Sequence, residues 1–264
     1  MYNICIVSVF KNEMSALDEW LNHYINQGVD HFFLTDNGSD DEYMRILSKY
    51  IQAGVVTLNI NATKHQQMQH LNFFLDDSKQ YEWVIVVDLD EFMYAKNGFA
   101  TIAKYLSQVD ANIDQIHIPW KNFGSNGHII QPDSIRHNFL MREYTTNFRT
   151  VGGKSITRTK NLKYILVHFS WLEDETRLLM TSDGIQTTDT DNFHISDDIL
   201  ANSCLHLNHY AIQSWDWFRT IKMTRGDVAA IHYENMRDRS YFEKYDNNIV
   251  FDDSIINAIS HINK

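Results

Sequence analysis

Two aspartates at the end of an apolar run are the residues of this sequence best placed to do chemistry. The run spans residues 83–92 (WVIVVDLDEF), and its Val and Ile residues are typical of a buried strand that ends in Asp88 and Asp90. Open α/β sheets bind ligands at the carboxyl ends of their strands. Two carboxylates spaced i and i+2 can point the same way and share Mg²⁺ or Mn²⁺. Such a cation offsets the charge of a diphosphate, so the run indicates a nucleotide-dependent enzyme.

The Asp-x-Asp pattern also has a purely structural interpretation, in which the aspartates bind no ligand. Aspartates after a strand are also common turn formers and helix caps. A second match, Asp189-Thr190-Asp191, lies in a polar segment with no apolar strand before it, and we interpret it as loop. Strand context is therefore what separates the first match from the second.

Strand and helix patterns alternate through the first half of the chain. Apolar runs predict strands at residues 4–10, 31–35 and 55–60, followed by the strand that ends at Asp88, and helical spacing predicts helices near 17–25, 43–50 and 66–75. This alternation favours a parallel sheet with right-handed crossovers. Polar clusters follow three of these strands, and we expect them to line one crevice: Lys11-Asn12-Glu13, Asp36-Asn37-Gly38 and Asp88-Leu89-Asp90.

The second half is less regular. Strands are predicted at residues 115–120, 165–169 and 205–209, with a glycine-containing loop at 121–128 able to pass close to a substrate. No Gly-x-Gly-x-x-Gly follows the first strand and no Walker loop occurs, which excludes the standard dinucleotide and P-loop folds. No linker divides the halves, so we expect one α/β domain over residues 1–264.

Composition narrows the class of protein. The 264 residues are 44% hydrophobic and 22% charged, which is typical of a globular chain. A net charge of -11 argues against nucleic acid as a partner. The 2 cysteines imply no disulfide framework and fit a reducing compartment. No signal peptide or membrane span is visible, so we expect a cytoplasmic location.

The chain carries, in this order, the motifs Lys11-Asn12-Glu13, Glu19-Trp20, Asp36 to Asp40, Asp88 to Phe92, Phe123 to His128, and His209-Tyr210. Together these motifs resemble glycosyltransferase family 92 and its family 2-like relatives. The resemblance implies a GT-A fold, which is Rossmann-like with a mostly parallel central sheet flanked by helices. Residues of about 1–95 would form the nucleotide-sugar half and about 96–264 the acceptor half. It further implies a UDP-sugar donor, Mn²⁺ or Mg²⁺, inversion, and transfer of galactose or another hexose to a glycan, often in polysaccharide biosynthesis.

The resemblance also implies roles for residues on the nucleobase side. Phe10, Lys11 and Glu13 would lie beside the nucleobase or ribose. Asp36 would accept a hydrogen bond from the uracil imide. These roles predict a preference for uridine nucleotides.

The resemblance also implies roles for residues on the metal side of the site. Asp90 would ligate the metal directly, Asp88 would touch ribose or a metal-bound water, and His209 would complete the coordination. An imidazole ligand suits Mn²⁺ better than Mg²⁺. Lys154 and Lys222 are candidate diphosphate partners, with solvated surface charges as the alternative.

We expect most histidines of this chain to be structural. An imidazole on an apolar segment is more often a hydrogen-bonded residue of the core or surface than a metal ligand. We interpret His206 and His232 in this way and rank His168 below His209 as a ligand.

The catalytic base stays unassigned from the sequence. Glu173 and Asp174 are candidates because aromatic neighbours in the run 168–174 could hold a sugar beside them. An acidic surface loop is an equally good interpretation of this run.

Two other classes of function remain as alternatives. A haloacid-dehalogenase-type phosphatase also carries Asp-x-Asp after a strand, although normally after its first strand. A non-catalytic carbohydrate- or protein-binding module could keep the fold without the chemistry. Metal-dependent hydrolysis of a nucleotide sugar separates an enzyme from such a module.

Overall fold

The computed structural model describes residues 2–174, 177–225 and 237–260, so His232 lies outside the described residues. The first half alternates strands and helices as predicted. Its elements are β1 (Tyr2–Phe10), α1 (Met14–Asn26), β2 (His31–Asp36), α2 (Met44–Gln52), β3 (Val56–Ile60), α3 (Gln67–Asn72), α4 (Leu75–Ser78), β4 (Tyr81–Val86) and β5 (Glu91–Ala95).

The second half consists mostly of short elements. They are α5 (Ile102–Leu106), β6 (Gln115–Asn122), α6 (Ile135–Asn138), β7 (Met141–Arg142), β8 (Phe148–Arg149), β9 (Gly153–Arg158), β10 (Leu162–Tyr164), β11 (Trp171–Leu172), β12 (Leu179–Thr181), β13 (Gln186–Thr187), β14 (His194–Ile195), α7 (Asp197–Asn202), β15 (Leu205–His209), α8 (Trp215–Trp217), a π-helical turn (Phe218–Lys222), α9 (Arg239–Tyr245), β16 (Val250–Phe251) and α10 (Ser254–Ser260), with 3₁₀ turns at Thr159–Asn161 and Thr190–Asn192.

The central sheet has the strand order β13-β12-β6-β9-β4-β1-β2-β3. The strands β4, β1, β2 and β3 run parallel to one another, which confirms the parallel sheet predicted for the first half. The strand β9 is antiparallel to both of its neighbours, β4 and β6. The strand β15 pairs with β6 in parallel and with β5 antiparallel. The fold class is therefore α/β with a mostly parallel first half, as predicted.

Alternating residues of β1 supply two separate hydrophobic cores. Ile4 and Ile6 pack in the larger core, and Cys5 and Val7 pack in the smaller one. All four are fully buried. Since successive side chains of a strand point to opposite faces, both faces of the sheet are covered, as parallel sheets require.

The turn after α1 depends on a glycine. Gly28 has φ +87°, and a Cβ added there would lie 2.5 Å from the Cβ of Ala103 in α5. The glycine therefore permits both the left-handed helix end and the close approach of α5.

Two predictions of local structure were wrong. Residues 165–169 form no strand, and the pairing strands beside them are β10 and β11. The helix predicted at 66–75 is broken into α3 and α4.

His206 is buried, with Nε2 3.1 Å from the carbonyl of Ser203, which fits its structural interpretation. Within the described part of the chain, no helix has the length and apolarity needed to span a bilayer.

Candidate active site

A cavity of about 1140 Å³ lies at the carboxyl ends of β1, β2 and β4. All three polar clusters predicted to share one crevice contribute to it, which confirms their convergence. The strand β15 and the π-helical turn close its other sides. Of the candidate site residues, those that line the cavity are Phe10, Lys11, Glu13, Asp88, Asp90, His209 and Lys222. The remaining candidates, Asp36, Lys154, Glu173 and Asp174, are not among its lining residues.

Glu91 holds the turn that carries the two aspartates between β4 and β5. Its side chain accepts hydrogen bonds from the backbone N–H of Asp88 at 2.9 Å and from the indole N–H of Trp120 at 2.7 Å. Trp20 donates its indole N–H to the Asp88 carbonyl at 3.0 Å. Glu91 is fully buried, and this burial raises its pKa to about 8 against the opposing effect of Lys154. Glu91 is thus a structural part of the motif that the sequence analysis did not assign.

Lys154 lies behind the motif. Its ammonium donates to Oδ2 of Asp88 at 2.8 Å and lies 3.5 Å from Oε2 of Glu91. Its side chain has 0% exposure. Burial lowers the pKa of Lys154, but the carboxylates of Asp88 and Glu91 raise it further, so the net pKa lies above the usual value. The structure thus places Lys154 as the buried counter-ion of Asp88.

Asp90 is paired with a second lysine. Lys222, at the end of the π-helical turn, hydrogen-bonds to Oδ2 of Asp90. Burial acts to raise the pKa of Asp90, but Lys222 and His209 hold it well below the usual range. Asp90 is therefore ionised at neutral pH.

His209 ends β15 beside these carboxylates. Its Nδ1 lies 3.1 Å from Oδ1 of Asn122, and its ring stacks on Trp120 with centroids 4.6 Å apart. Burial lowers the pKa of His209 to about 4. The imidazole is therefore neutral at pH 7, which is the form that binds metals.

The residue types fit a divalent cation better than their arrangement does. Asp88, Asp90 and His209 offer carboxylate oxygens and a neutral imidazole, a donor set suited to Mn²⁺. Among the residues that the structure describes, however, no three His, Cys, Asp or Glu side chains lie close enough together to hold a metal. One oxygen of each aspartate is bonded to a lysine, Lys154 or Lys222. A cation would therefore compete with these ammonium groups.

The nucleobase side is built from the ends of β1 and β2. Phe10 lines the cavity and meets Tyr43 edge-to-face at 5.1 Å. Glu13 is buried and paired with Arg225, and burial raises the pKa of Glu13. Asp36 lies deeper, where its carboxylate accepts from the N–H of Ser39 at 2.8 Å and the hydroxyl of Tyr43 at 3.1 Å.

Comparison with known proteins now identifies the family. The sequence model of glycosyltransferase family 92 matches residues 1–260. The chain belongs to this family. A family 92 protein of Ricinus communis is 22% identical over 247 residues, which are 89% of this chain and 40% of that protein. One of Arabidopsis thaliana is 23% identical over 239 residues, 83% of this chain and 36% of that protein. The chain thus spans about two fifths of the length of these relatives.

Solved structures show weaker likeness to this family 92 chain. S. aureus TarS 1-349 in complex with UDP-GlcNAc matches with a TM-score of 0.41 and 22% identity, over 60% of this chain and 45% of that one. GalNAc-T7 with UDP, GalNAc and Mn²⁺ matches with a TM-score of 0.46 and 15% identity, over 81% of this chain and 45% of that one.

Family 92 membership places the chain among glycosyltransferases rather than haloacid-dehalogenase-type phosphatases. The position of the motif agrees, since β4 is the fourth strand in the described chain rather than its first.

Sequence analysis gave Asn12 no role of its own and did not name Arg225. Asn12 has φ +56° and ties the end of β1 to the loop after β2: its N–H donates to Ser39 Oγ at 2.9 Å and its Oδ1 accepts from the N–H of Asp40 at 2.9 Å. An asparagine directly after a strand was the available signal, because Asn tolerates this left-handed conformation. Arg225 lines the cavity and pairs with Glu13 across 212 residues of sequence, so no local pattern indicates it.

The two base candidates lie at the surface. Glu173 and Asp174 are exposed and directly follow β11, and neither is among the residues that line the cavity. His168, in the same run of sequence, does line it.

Proposed function

We propose that this chain is a metal-dependent, inverting hexosyltransferase that moves galactose or another hexose from a UDP-sugar to a hydroxyl of a glycan. Family 92 membership supports glycosyl transfer. The observation that supports the donor most strongly is the meeting of Asp88, Asp90 and His209 with Lys222 in one cavity at the strand ends. A polysaccharide under construction is the acceptor class that the family resemblance suggests.

The charges of the cavity suit a diphosphate. Lys222 and Arg225 line it, and each is paired with a carboxylate, Asp90 or Glu13. These two cations can offset the charge that develops on a departing diphosphate. When bound by Asp90, with Asp88 and His209 beside it, Mn²⁺ or Mg²⁺ would supply further positive charge there.

The reaction proposed for this site is a direct displacement. An acceptor hydroxyl attacks the anomeric carbon from the face opposite the diphosphate, and the bond from that carbon to the diphosphate oxygen breaks. A base removes the hydroxyl proton as the new bond forms. One displacement of this kind inverts the anomeric configuration.

Uracil recognition is proposed for the end of β2. Asp36 accepts one hydrogen bond at each carboxylate oxygen, and each oxygen can accept another. The neighbouring Asn37 lines the cavity, so the end of β2 forms part of the cavity wall. A uracil imide N–H can donate to such a carboxylate, whereas the ring N3 of neutral cytosine carries no proton to donate.

A thermal-shift panel tests the donor class. UDP, CDP, GDP, UDP-galactose and UDP-glucose are compared with and without Mn²⁺. A ligand at a hundredfold excess over its Kd stabilises the folded state by about 2.7 kcal/mol, which gives a clear shift. We expect the largest shifts for the uridine compounds with Mn²⁺. Larger shifts with CDP or GDP would overturn the base preference, and no shift with any nucleotide would overturn the proposed function.

Two product assays separate the remaining alternatives. Nuclear magnetic resonance of the product linkage should show a β-linked sugar from an α-linked donor, and an α-linked product contradicts inversion. Mn²⁺-dependent release of UDP from UDP-galactose should be measurable. A binding module that has lost the chemistry would bind UDP-galactose without releasing UDP.

A further inference from the structure

Each acidic side chain that lines the cavity in the described part of the chain is paired with a cation. Among the described residues that line it, the acidic ones are Glu13, Asp88 and Asp90. Their ion-pair partners are Arg225, Lys154 and Lys222, respectively. An acceptor hydroxyl in this cavity therefore meets no carboxylate that lacks a cationic partner among the described lining residues. The imidazoles among the described lining residues are therefore the next candidates for the base.

His168 has the location and the tautomer that a base needs. It lines the cavity from the segment between β10 and β11 and is half-buried. Its Nδ1 lies 2.8 Å from the carbonyl oxygen of Gly153. A carbonyl can only accept, so Nδ1 carries the proton of the neutral ring and the lone pair belongs to Nε2.

The strand β9 fixes this orientation at two points. Besides the Gly153 carbonyl, Ser155 donates its hydroxyl to the carbonyl of His168 at 2.7 Å. Gly153 itself has φ +149°, and a Cβ there would lie 2.3 Å from the carbonyl oxygen of Ile118. Only glycine therefore suits the position whose carbonyl holds the imidazole.

Trp120 contacts both His168 and His209. One side of the indole stacks on His209, and His168 meets the indole edge-to-face at 5.4 Å. Both imidazoles therefore contact the same indole and line the same cavity. Because both rings contact one indole, a single hexose bound in the cavity can reach His168 as well as the residues around His209.

We propose that His168 is the general base of the transfer, an assignment that rests on the proposed function. The acceptor hydroxyl gives its proton to Nε2 as its oxygen bonds to the anomeric carbon. The bond from that carbon to the diphosphate oxygen breaks, and the electron pair leaves with UDP. The resulting imidazolium returns its proton to solvent after the product departs.

Turnover of UDP-galactose with lactose or water as acceptor, followed as UDP release, tests the assignment. In His168→Ala we expect kcat to fall by about 10²- to 10⁴-fold, the usual contribution of a general base. Titration calorimetry should show an unchanged Kd for UDP. Free imidazole should restore turnover of His168→Ala in proportion to its concentration, which a merely structural role would not produce.

Two variants serve as controls for His168→Ala. His168→Gln keeps an amide donor for the Gly153 carbonyl, so it should fold normally and still lose turnover. His31→Gln, at the opposite end of β2, should keep turnover and gain nothing from imidazole. The assignment of His168 would be overturned by full turnover in His168→Gln. It would also be overturned if Glu173→Gln or Asp174→Asn lost turnover with intact UDP affinity. Either result would leave the proposed function standing. Failure of UDP to bind the wild-type protein would overturn the proposed function and the assignment with it.

Discussion

Lys154 donates a 2.8 Å hydrogen bond to Asp88 from a fully buried position on β9, a strand that runs antiparallel to the one before the motif. The same ammonium lies 3.5 Å from Glu91. The first aspartate of the motif is therefore neutralised from within the protein, whereas the second is neutralised by Lys222 from the cavity side. The two lysines predict different mutant behaviour.

Lys154→Met should destabilise the fold. The change removes the ammonium that hydrogen-bonds to Asp88, and because the Asp88 side chain is 39% exposed we expect a loss of about 1 kcal/mol in the free energy of unfolding, less than for a fully buried ion pair. Urea unfolding at pH 7 measures it. Lys160→Met, an exposed neighbour beyond β9, should change the free energy of unfolding little. A variant that unfolds like the wild type but no longer binds UDP would show that Lys154 reaches the diphosphate instead.

Lys222→Met should separate metal binding from nucleotide binding. Removing the ammonium from Asp90 frees that carboxylate, so we expect Mn²⁺ affinity to rise by about tenfold or more, since like charges at about 4 Å repel strongly even near a surface. Without metal, UDP affinity should fall, because a cation lining the cavity is lost. Electron paramagnetic resonance titration follows Mn²⁺ and calorimetry follows UDP. Arg219→Met, in the same turn but exposed, is the matched control; equal Mn²⁺ affinity in Lys222→Met and this control would refute competition.

Asp252 should contribute stability that depends on pH. It accepts from Lys121 at 2.9 Å and Arg142 at 2.8 Å. Burial acts to raise its pKa, but these cations and Ser254 hold it well below the ordinary 3.8. The folded state therefore keeps the carboxylate ionised, and its stabilisation is complete above pH 3.8 and lost as pH falls below that value.

Asp252→Asn leaves Lys121 buried without its counter-charge, so it should cost about 3 kcal/mol at pH 7. The difference from wild type should narrow below pH 3.8, which urea unfolding at pH 7 and at lower pH measures. Asp76→Asn, whose side chain is 97% exposed, should cost little at either pH. A difference that stays constant with pH would show that the ionised form of Asp252 is not what stabilises the fold.

The sequence predicts those strands whose apolar residues follow one another in a continuous run. The strands before Lys11, Asp36 and Asp88 are runs of this kind, and in a parallel sheet their carboxyl ends must meet on one edge. His209 was placed at the end of a strand for the same reason, and β15 ends there. These features could be predicted because each depends on neighbouring residues.

The rest depends on long-range pairing. The sequence of β9, GKSITR, contains a single large apolar residue and does not predict a buried strand, yet all six residues are buried because β4 and β6 flank it. The ion pairs of Lys154 and Arg225 join segments far apart in sequence. Conversely, residues 165–169 have a strand-like pattern but form no strand: Ile165 is buried in the smaller core, and residues 166–169 line the cavity. No local pattern carries this information.

The central claim is that Asp90 serves metal-linked binding of a uridine nucleotide. Titration calorimetry of UDP with and without Mn²⁺, on the wild type, Asp90→Asn and Asp191→Asn, tests it most directly. Asp191 belongs to the second Asp-x-Asp match and is exposed, which makes it the matched control. We predict that Mn²⁺ strengthens UDP binding in the wild type and in Asp191→Asn and has no effect in Asp90→Asn, while all three proteins unfold cooperatively. Equal enhancement by Mn²⁺ in Asp90→Asn and the wild type would contradict the assignment of Asp90 to the metal.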